Sequence, residues 1–266
     1  MVGADRGRIR RSAKRADWCI AVISAPTQHR SRLSEWSTER TFRRAAALCG
    51  IAGPIALTVY FAAPAFSNWP YAGASPARLT AYALDHQTLF YAGAWFQVTG
   101  TLLCIIFFLA IVQQAGATAR LSGLLVIVSS TALLGLVLVE SALLVAVPMA
   151  AAGGDTATVV TTFDLSNGVF VRVFPLAPAS VSFLALGAVI IGSRVLHRRF
   201  GYVALGVGIA FEVAGILAVF SSLGLILAIV LSIAQELWIV AAAIALWRSI
   251  PRDNPGISQP VGDVPL

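Results

Sequence analysis

Four ionisable side chains interrupt the long apolar stretches of this sequence, and they are the residues best placed to do chemistry: Glu140, Arg172, Glu212 and Glu236. An ionised group near the centre of a bilayer costs on the order of 2.5 to 3.5 kcal/mol on insertion scales, so each is expected to face other protein. A buried carboxyl group without a cation is expected to be poised to exchange a proton near physiological pH. The four residues therefore predict a buried polar pocket.

Counting along the helices indicates which of these residues can meet. Glu140 lies eight residues before Pro148, and Arg172 lies six residues after Ser166. At the helical rise both are about 9 to 12 Å below one surface of the membrane, which predicts an ion pair between them.

Glu212 and Glu236 are predicted to lie deeper, roughly 15 to 21 Å from the turn that joins their helices, where they can share a cavity. Gln97 and Ser232 are lesser candidates for the same pocket. The alternative interpretation is that each acid is neutral, hydrogen-bonded to a serine or a backbone carbonyl, and serves helix packing only.

Other kinds of chemistry find no support in the residue pattern. The three histidines, His29, His86 and His197, lie outside the apolar stretches. The sequence has no Gly-x-Ser-x-Gly motif, no P-loop and no GxGxxG, and its three cysteines show no CxxC spacing. We therefore expect no catalytic residue, no metal site and no cofactor, and a protein that is not an enzyme.

The composition is that of a membrane protein, since 58% of the 266 residues are hydrophobic, only 12% are charged, and the mean hydropathy is +0.82. The net charge of +7 belongs to the N-terminal region, because residues 1-44 hold eleven Arg or Lys and four acids, whereas the remainder holds eight of each. A local basic arm does not indicate a nucleic-acid partner.

The predicted fold is all-α, a polytopic bundle of six transmembrane helices in residues 45-248. The apolar stretches that define the helices are 45-66, 89-112, 121-147, 166-192, 200-220 and 223-247. Residues 67-88 and 150-165 are predicted to be outer loops, and Ser75-Pro76 is typical of the start of a short interfacial helix. Gly208 and Gly215 share a helix face with Glu212 and predict close packing against a partner helix.

Residues 1-44 are predicted to be a disordered, Arg-rich cytoplasmic arm and residues 249-266 a disordered tail. Arginines beside a membrane attract anionic lipid head groups. The alternative function is therefore a structural or regulatory membrane protein that acts through this arm by binding lipid or a partner. The leading hypothesis is a polar cavity that binds or translocates a small solute, in a manner that can be coupled to protons.

In span spacing and in its outer-loop segment PARLTAYAL the chain resembles the uncharacterised bacterial six-span membrane proteins grouped as domains of unknown function. The resemblance covers roughly residues 40 to 248. It implies a six-helix membrane fold and no particular activity. Together with the Arg-rich composition, it favours the inner membrane of a bacterium.

Both termini are predicted to be cytoplasmic, because almost all Arg and Lys outside the spans fall on their side of the membrane and only Arg78 falls on the other. A reporter enzyme that is active only in the periplasm should therefore be silent when fused after Trp247. A fusion at Gly153 should be active. The opposite pattern would overturn the orientation.

Overall fold

The computed structural model describes residues 39–62, 66–70, 73–221 and 223–250. The chain divides into two units, residues 1–44 and 45–266. Most of the predicted basic arm and of the predicted tail lies outside the described residues. Residues 39–44 are described, and they form the first turns of a helix rather than part of an irregular arm.

The described residues form eight α-helices and no β-strand. Their bounds are Glu39–Ala62 (α1), Pro76–Asp85 (α2), Gln87–Gln114 (α3), Leu121–Ala152 (α4), Thr156–Gly168 (α5), Ser180–Ile191 (α6), Arg198–Phe220 (α7) and Leu223–Arg248 (α8). Two π-helical turns, Val169–Val173 and Pro175–Ala179, connect α5 to α6. The predicted all-α class is confirmed for this part of the chain.

Five of these helices are long and apolar enough to cross a membrane by length and composition: α1, α3, α4, α7 and the part of α8 from Leu227 to Arg248. Their outward faces expose large apolar side chains, among them Val128, Ile209 and Leu237, each at least half exposed. Such surfaces suit contact with lipid. The helices are compatible with a multi-pass membrane protein.

The region between α4 and α7 differs from the predicted pattern of an outer loop followed by one span. Helix α4 continues to Ala152, and a turn at Gly154, whose φ of +76° favours glycine, leads directly into α5. Asp155 caps α5 by accepting a hydrogen bond from the Thr158 backbone N–H at 3.0 Å. The hydrogen bonds from Thr158 hold the pKa of Asp155 below its usual range. This cap starts a helix in residues that were predicted to be loop.

Each π-helical turn contains a backbone hydrogen bond from the N–H of one residue to the carbonyl of the residue five positions earlier. The Phe174 N–H donates to the Val169 carbonyl at 3.1 Å, and the Ala179 N–H donates to the Phe174 carbonyl at 3.2 Å. Pro175 and Pro178 lie in this region and have no N–H to donate, so a regular α-helical ladder cannot form through it. The apolar helical segment that follows the first π-helical turn, Pro175–Ile191, is shorter than the five long helices.

A cluster of aromatic and aliphatic side chains joins α2 to the ends of α3, α4 and α5. The ring of Trp69 lies 5.1 Å from that of Phe90 and 5.7 Å from that of Phe163, measured between ring centroids. Helix α2 begins as its sequence predicts, with Ser75 as the N-cap and Pro76 in the first turn. The predicted short helix in this connection is confirmed.

Helices α6 and α7 approach closely through glycines spaced seven residues apart on α7. A Cβ atom on Gly208 would lie 2.9 Å from the Ser180 carbonyl oxygen, and one on Gly215 would lie 2.8 Å from Leu176. Gly201 faces the backbone of Gly187 in the same way. The prediction that the Gly208 and Gly215 face packs on a partner helix is confirmed, and the partner is the segment that ends in α6.

This contact can be tested by adding one methyl group to α7. Gly208→Ala should destabilise the protein by about 1 to 3 kcal/mol, because overpacking forces the two backbones apart. Gly206→Ala on the same helix is the matched control, since nothing lies within 4 Å of its Cβ position. Thermal unfolding in detergent should show a lower midpoint for Gly208→Ala only, and equal midpoints would contradict the close contact.

Candidate functional site

The carboxyl group of Glu140, on α4, is almost fully buried, with 3% of the residue exposed. The Tyr60 hydroxyl on α1 donates to Glu140 Oε1 at 3.3 Å. The side chain of Gln97 on α3 lies beside the Glu140 carboxyl group and lines the same cavity. Ser141 Oγ donates to Gln97 Oε1 at 2.9 Å, so Gln97 is itself held by α4. The hydrogen bond from Tyr60 thus links Glu140 to α1.

Glu140 lines a cavity at the centre of the bundle, between α1, α3, α4, α8 and the π-helical segment with the start of α6. The other polar residues that line it are Gln97, Thr101, Cys104, Ser182, Ser232 and Gln235. Phenylalanine rings make up much of the remaining wall, and they belong to Phe61, Phe108, Phe170, Phe174 and Phe183. The cavity therefore combines one carboxyl group, several polar side chains and an aromatic wall.

The size of the cavity limits what it holds. The centre of a water molecule can occupy about 40 Å³ within it. One water needs roughly 10 to 15 Å³ by that measure, so there is room for about three water-sized groups. A sugar or an amino acid does not fit without rearrangement of the walls.

Glu212 and Glu236 do not line this cavity, and each is bonded to a hydroxyl group of another helix. Ser180 Oγ donates to Glu212 Oε2 at 2.8 Å, and Thr58 Oγ1 donates to Glu236 Oε2 at 2.8 Å. Glu236 Oε1 is buried without a hydrogen-bond partner. The two acids that were predicted to share a cavity are both absent from the lining of this one and have different partners, and their contacts resemble the alternative of helix packing.

Arg172 is exposed on the surface, and it forms no ion pair with Glu140. The ion pair found within the described residues is between Arg43 and Glu39, at 2.8 Å. The predicted ion pair fails because of the backbone conformation. Arg172 lies in the π-helical turn Val169–Val173, where both the rise and the rotation per residue differ from those of an α-helix. A depth and a face calculated for a regular helix do not apply there.

Both lesser candidates, Gln97 and Ser232, line the cavity. Four further residues lie at the site and were not predicted from the sequence: Tyr60, Thr101, Ser182 and Gln235. Gln235 carried a signal, since it is a polar residue beside Glu236 inside an apolar helix. Tyr60 carried none, because a tyrosine in a span is as typical of the lipid interface as of a hydrogen bond to a buried acid.

The described residues contain no group of three or more His, Cys, Asp or Glu that could hold a metal ion. Comparison with known proteins gives no match to a family model, to a curated protein or to a solved structure.

The positions of Glu140 and Arg172 predict independent effects on stability. The losses from Glu140→Gln and Arg172→Leu should add within about 0.3 to 0.5 kcal/mol, because the two side chains share no contact. Tyr60→Phe combined with Glu140→Gln is the positive control, since these residues are hydrogen-bonded and should be coupled. Chemical unfolding of the single and double variants measures both. A coupling energy between Arg172 and Glu140 would instead support the ion pair predicted from the sequence and contradict their separate positions.

Proposed function

We propose that this chain is a six-span protein of the bacterial inner membrane whose central cavity, around Glu140, binds a small polar solute and lets it cross. The observation that supports the proposal is the carboxyl group of Glu140. It lines the central cavity, accepts a hydrogen bond from Tyr60 on α1, and has no ion-pair partner among the described residues. Ionisable groups at membrane depth commonly mark the path of a substrate or an ion.

The sixth span of this proposal is the continuous helical stretch from Thr156 to Ile191. Its second half, Pro175–Ile191, is apolar, and the two π-helical turns precede or begin it. Broken helices are found in membranes where the irregular backbone lines a cavity, and here Phe170 and Phe174 of this stretch line the central cavity. With six spans the Arg distribution favours cytoplasmic termini.

Packing alone accounts less well for Glu140 than for the other two acids. Glu212 and Glu236 lie outside the cavity, each with a hydroxyl partner on a neighbouring helix. Glu140, in contrast, faces open space that Thr101 and Gln235 also face from other helices. Convergence of polar groups from separate helices on one cavity is typical of a ligand site.

The proposal is tested by measuring solute flux into liposomes that contain the purified full chain. Stopped-flow light scattering would follow separate gradients of urea, glycerol, methylammonium chloride and potassium chloride. We expect at least one solute to cross much faster than in protein-free liposomes, and Glu140→Gln to reduce that flux at least tenfold. Absence of flux for all four solutes would contradict the proposal.

Glu212→Gln is the matched control, because it makes the same change in an acid outside the cavity and should leave the flux unchanged. Deletion of residues 1–38 tests the alternative hypothesis, in which the protein acts through its basic arm. A cavity protein should keep its flux without the arm, whereas loss of flux with normal insertion would assign the function to the arm. Equal effects of the two glutamine substitutions would also contradict a role specific to Glu140.

A further inference from the structure

Several polar groups around the central cavity can accept hydrogen bonds. The Ser232 hydroxyl donates to the Ala228 carbonyl at 2.8 Å, and the Ser182 hydroxyl donates to the Pro178 carbonyl at 2.6 Å and lies 2.9 Å from Ser129 Oγ on α4. The protons of both hydroxyls are therefore directed at protein oxygens, and their lone pairs remain for the cavity. Glu140 adds carboxyl oxygens. A ligand that donates hydrogen bonds matches these groups.

The charge of the lining indicates the charge of the ligand. Among the described residues the cavity has one carboxyl group and no Lys, Arg or His in its wall. An anion would be buried here with no cationic side chain to neutralise it, at a high cost in a low-dielectric site. A single positive charge would instead supply the partner that Glu140 lacks.

The aromatic wall narrows the class of cation. Phe61 and Phe170 lie with ring centroids 5.6 Å apart, and Phe170 and Phe174 with centroids 5.9 Å apart. Phenyl faces attract ammonium-type cations, whereas a bare metal ion requires a shell of oxygen ligands that this wall does not provide. The space for about three water-sized groups admits a cation of one or two heavy atoms.

We infer that the solute is a small protonated amine of the size of ammonium or methylammonium, held between the Glu140 carboxylate and the phenylalanine wall. This inference rests on the proposed function and names its substrate class. The N–H groups of the cation donate to Glu140 and to the lone pairs of the serine hydroxyls, and its charge lies against the rings.

Binding exchanges the proton of Glu140 for the amine cation. Before the amine binds, Glu140 holds its proton, since a lone buried charge is costly. When the amine binds as a cation, the Glu140 O–H bond breaks, the proton leaves to solvent, and the carboxylate keeps the electron pair. The net charge of the cavity is unchanged. The other titratable groups near this exchange are the Tyr60 hydroxyl on α1, the Cys104 thiol on α3 and Glu236 on α8.

The test is calorimetric titration of the purified full chain in detergent with methylammonium chloride. Two buffers of different ionisation enthalpy at one pH would count the protons released. We expect saturable binding with one proton released per cation. Potassium, which lacks hydrogen-bond donors, urea, which lacks charge, and tetramethylammonium, which is too large, should each bind at least tenfold more weakly.

Two variants and one matched control, Glu212→Gln, make the inference specific. Glu140→Gln should abolish proton release and weaken binding at least tenfold, while Glu212→Gln should change neither. Phe170→Leu should weaken methylammonium binding roughly 2- to 30-fold, the range expected for loss of one cation–π contact, without changing proton release. This second variant keeps the test decisive if Glu140→Gln does not fold.

Binding without proton release, or equal binding of potassium or urea, would overturn the inference. The proposed function fails separately. Flux of urea or glycerol without methylammonium binding would support the solute pathway and contradict the inference that the solute is an amine. Methylammonium binding with proton release but no flux of any solute would support the amine site and contradict the proposed pathway.

Discussion

A carboxyl group inside an apolar helix bundle must find a hydrogen-bond donor within the protein, because lipid offers none. Three acids of this chain meet that requirement in one way, by accepting from a side chain of another helix. Glu140 accepts from Tyr60, Glu236 from Thr58 and Glu212 from Ser180. Each hydrogen bond crosses a helix interface, so the acids help to fix which helices are neighbours.

Helix α1 has a central place in this arrangement. Thr58 and Tyr60 are two residues apart on α1 and donate to acids on two different helices, α8 and α4. Near them α1 approaches α3 closely, since a Cβ atom on Gly53 would lie 2.7 Å from Cys104 Sγ and 2.9 Å from the Gly100 carbonyl oxygen. The same helix therefore closes one side of the cavity and holds Glu140 in position.

The fold followed from the sequence where one physical preference dominated. Long apolar stretches predicted the long helices, Ser75 and Pro76 predicted the start of α2, and the glycines of α7 predicted its close contact. Residues 156–165, predicted to form part of an outer loop, have a polar, Thr-rich composition typical of irregular loops, yet they are helical, with Asp155 as the N-cap. Hydropathy does not register such a cap.

The candidate site was only partly predictable for a related reason. Polarity within an apolar stretch identified Glu140, Gln97 and Ser232, and all three line the cavity. Pairing could not be predicted from depth, because the π-helical turns around Pro175 change the rotation of the backbone and leave Arg172 exposed. Tyr60 was missed because only the three-dimensional packing of α1 against α4 brings its hydroxyl to Glu140.

The central claim is that Glu140 exchanges its proton for a bound cation inside the cavity. Difference infrared spectroscopy of the full chain in lipid, with and without methylammonium, observes the carboxyl group directly. The account predicts that methylammonium removes a protonated-carboxyl band and adds a carboxylate band, and that both changes disappear in Glu140→Gln but remain in Glu212→Gln. An unchanged carboxyl spectrum, or a change that persists in Glu140→Gln, would contradict it.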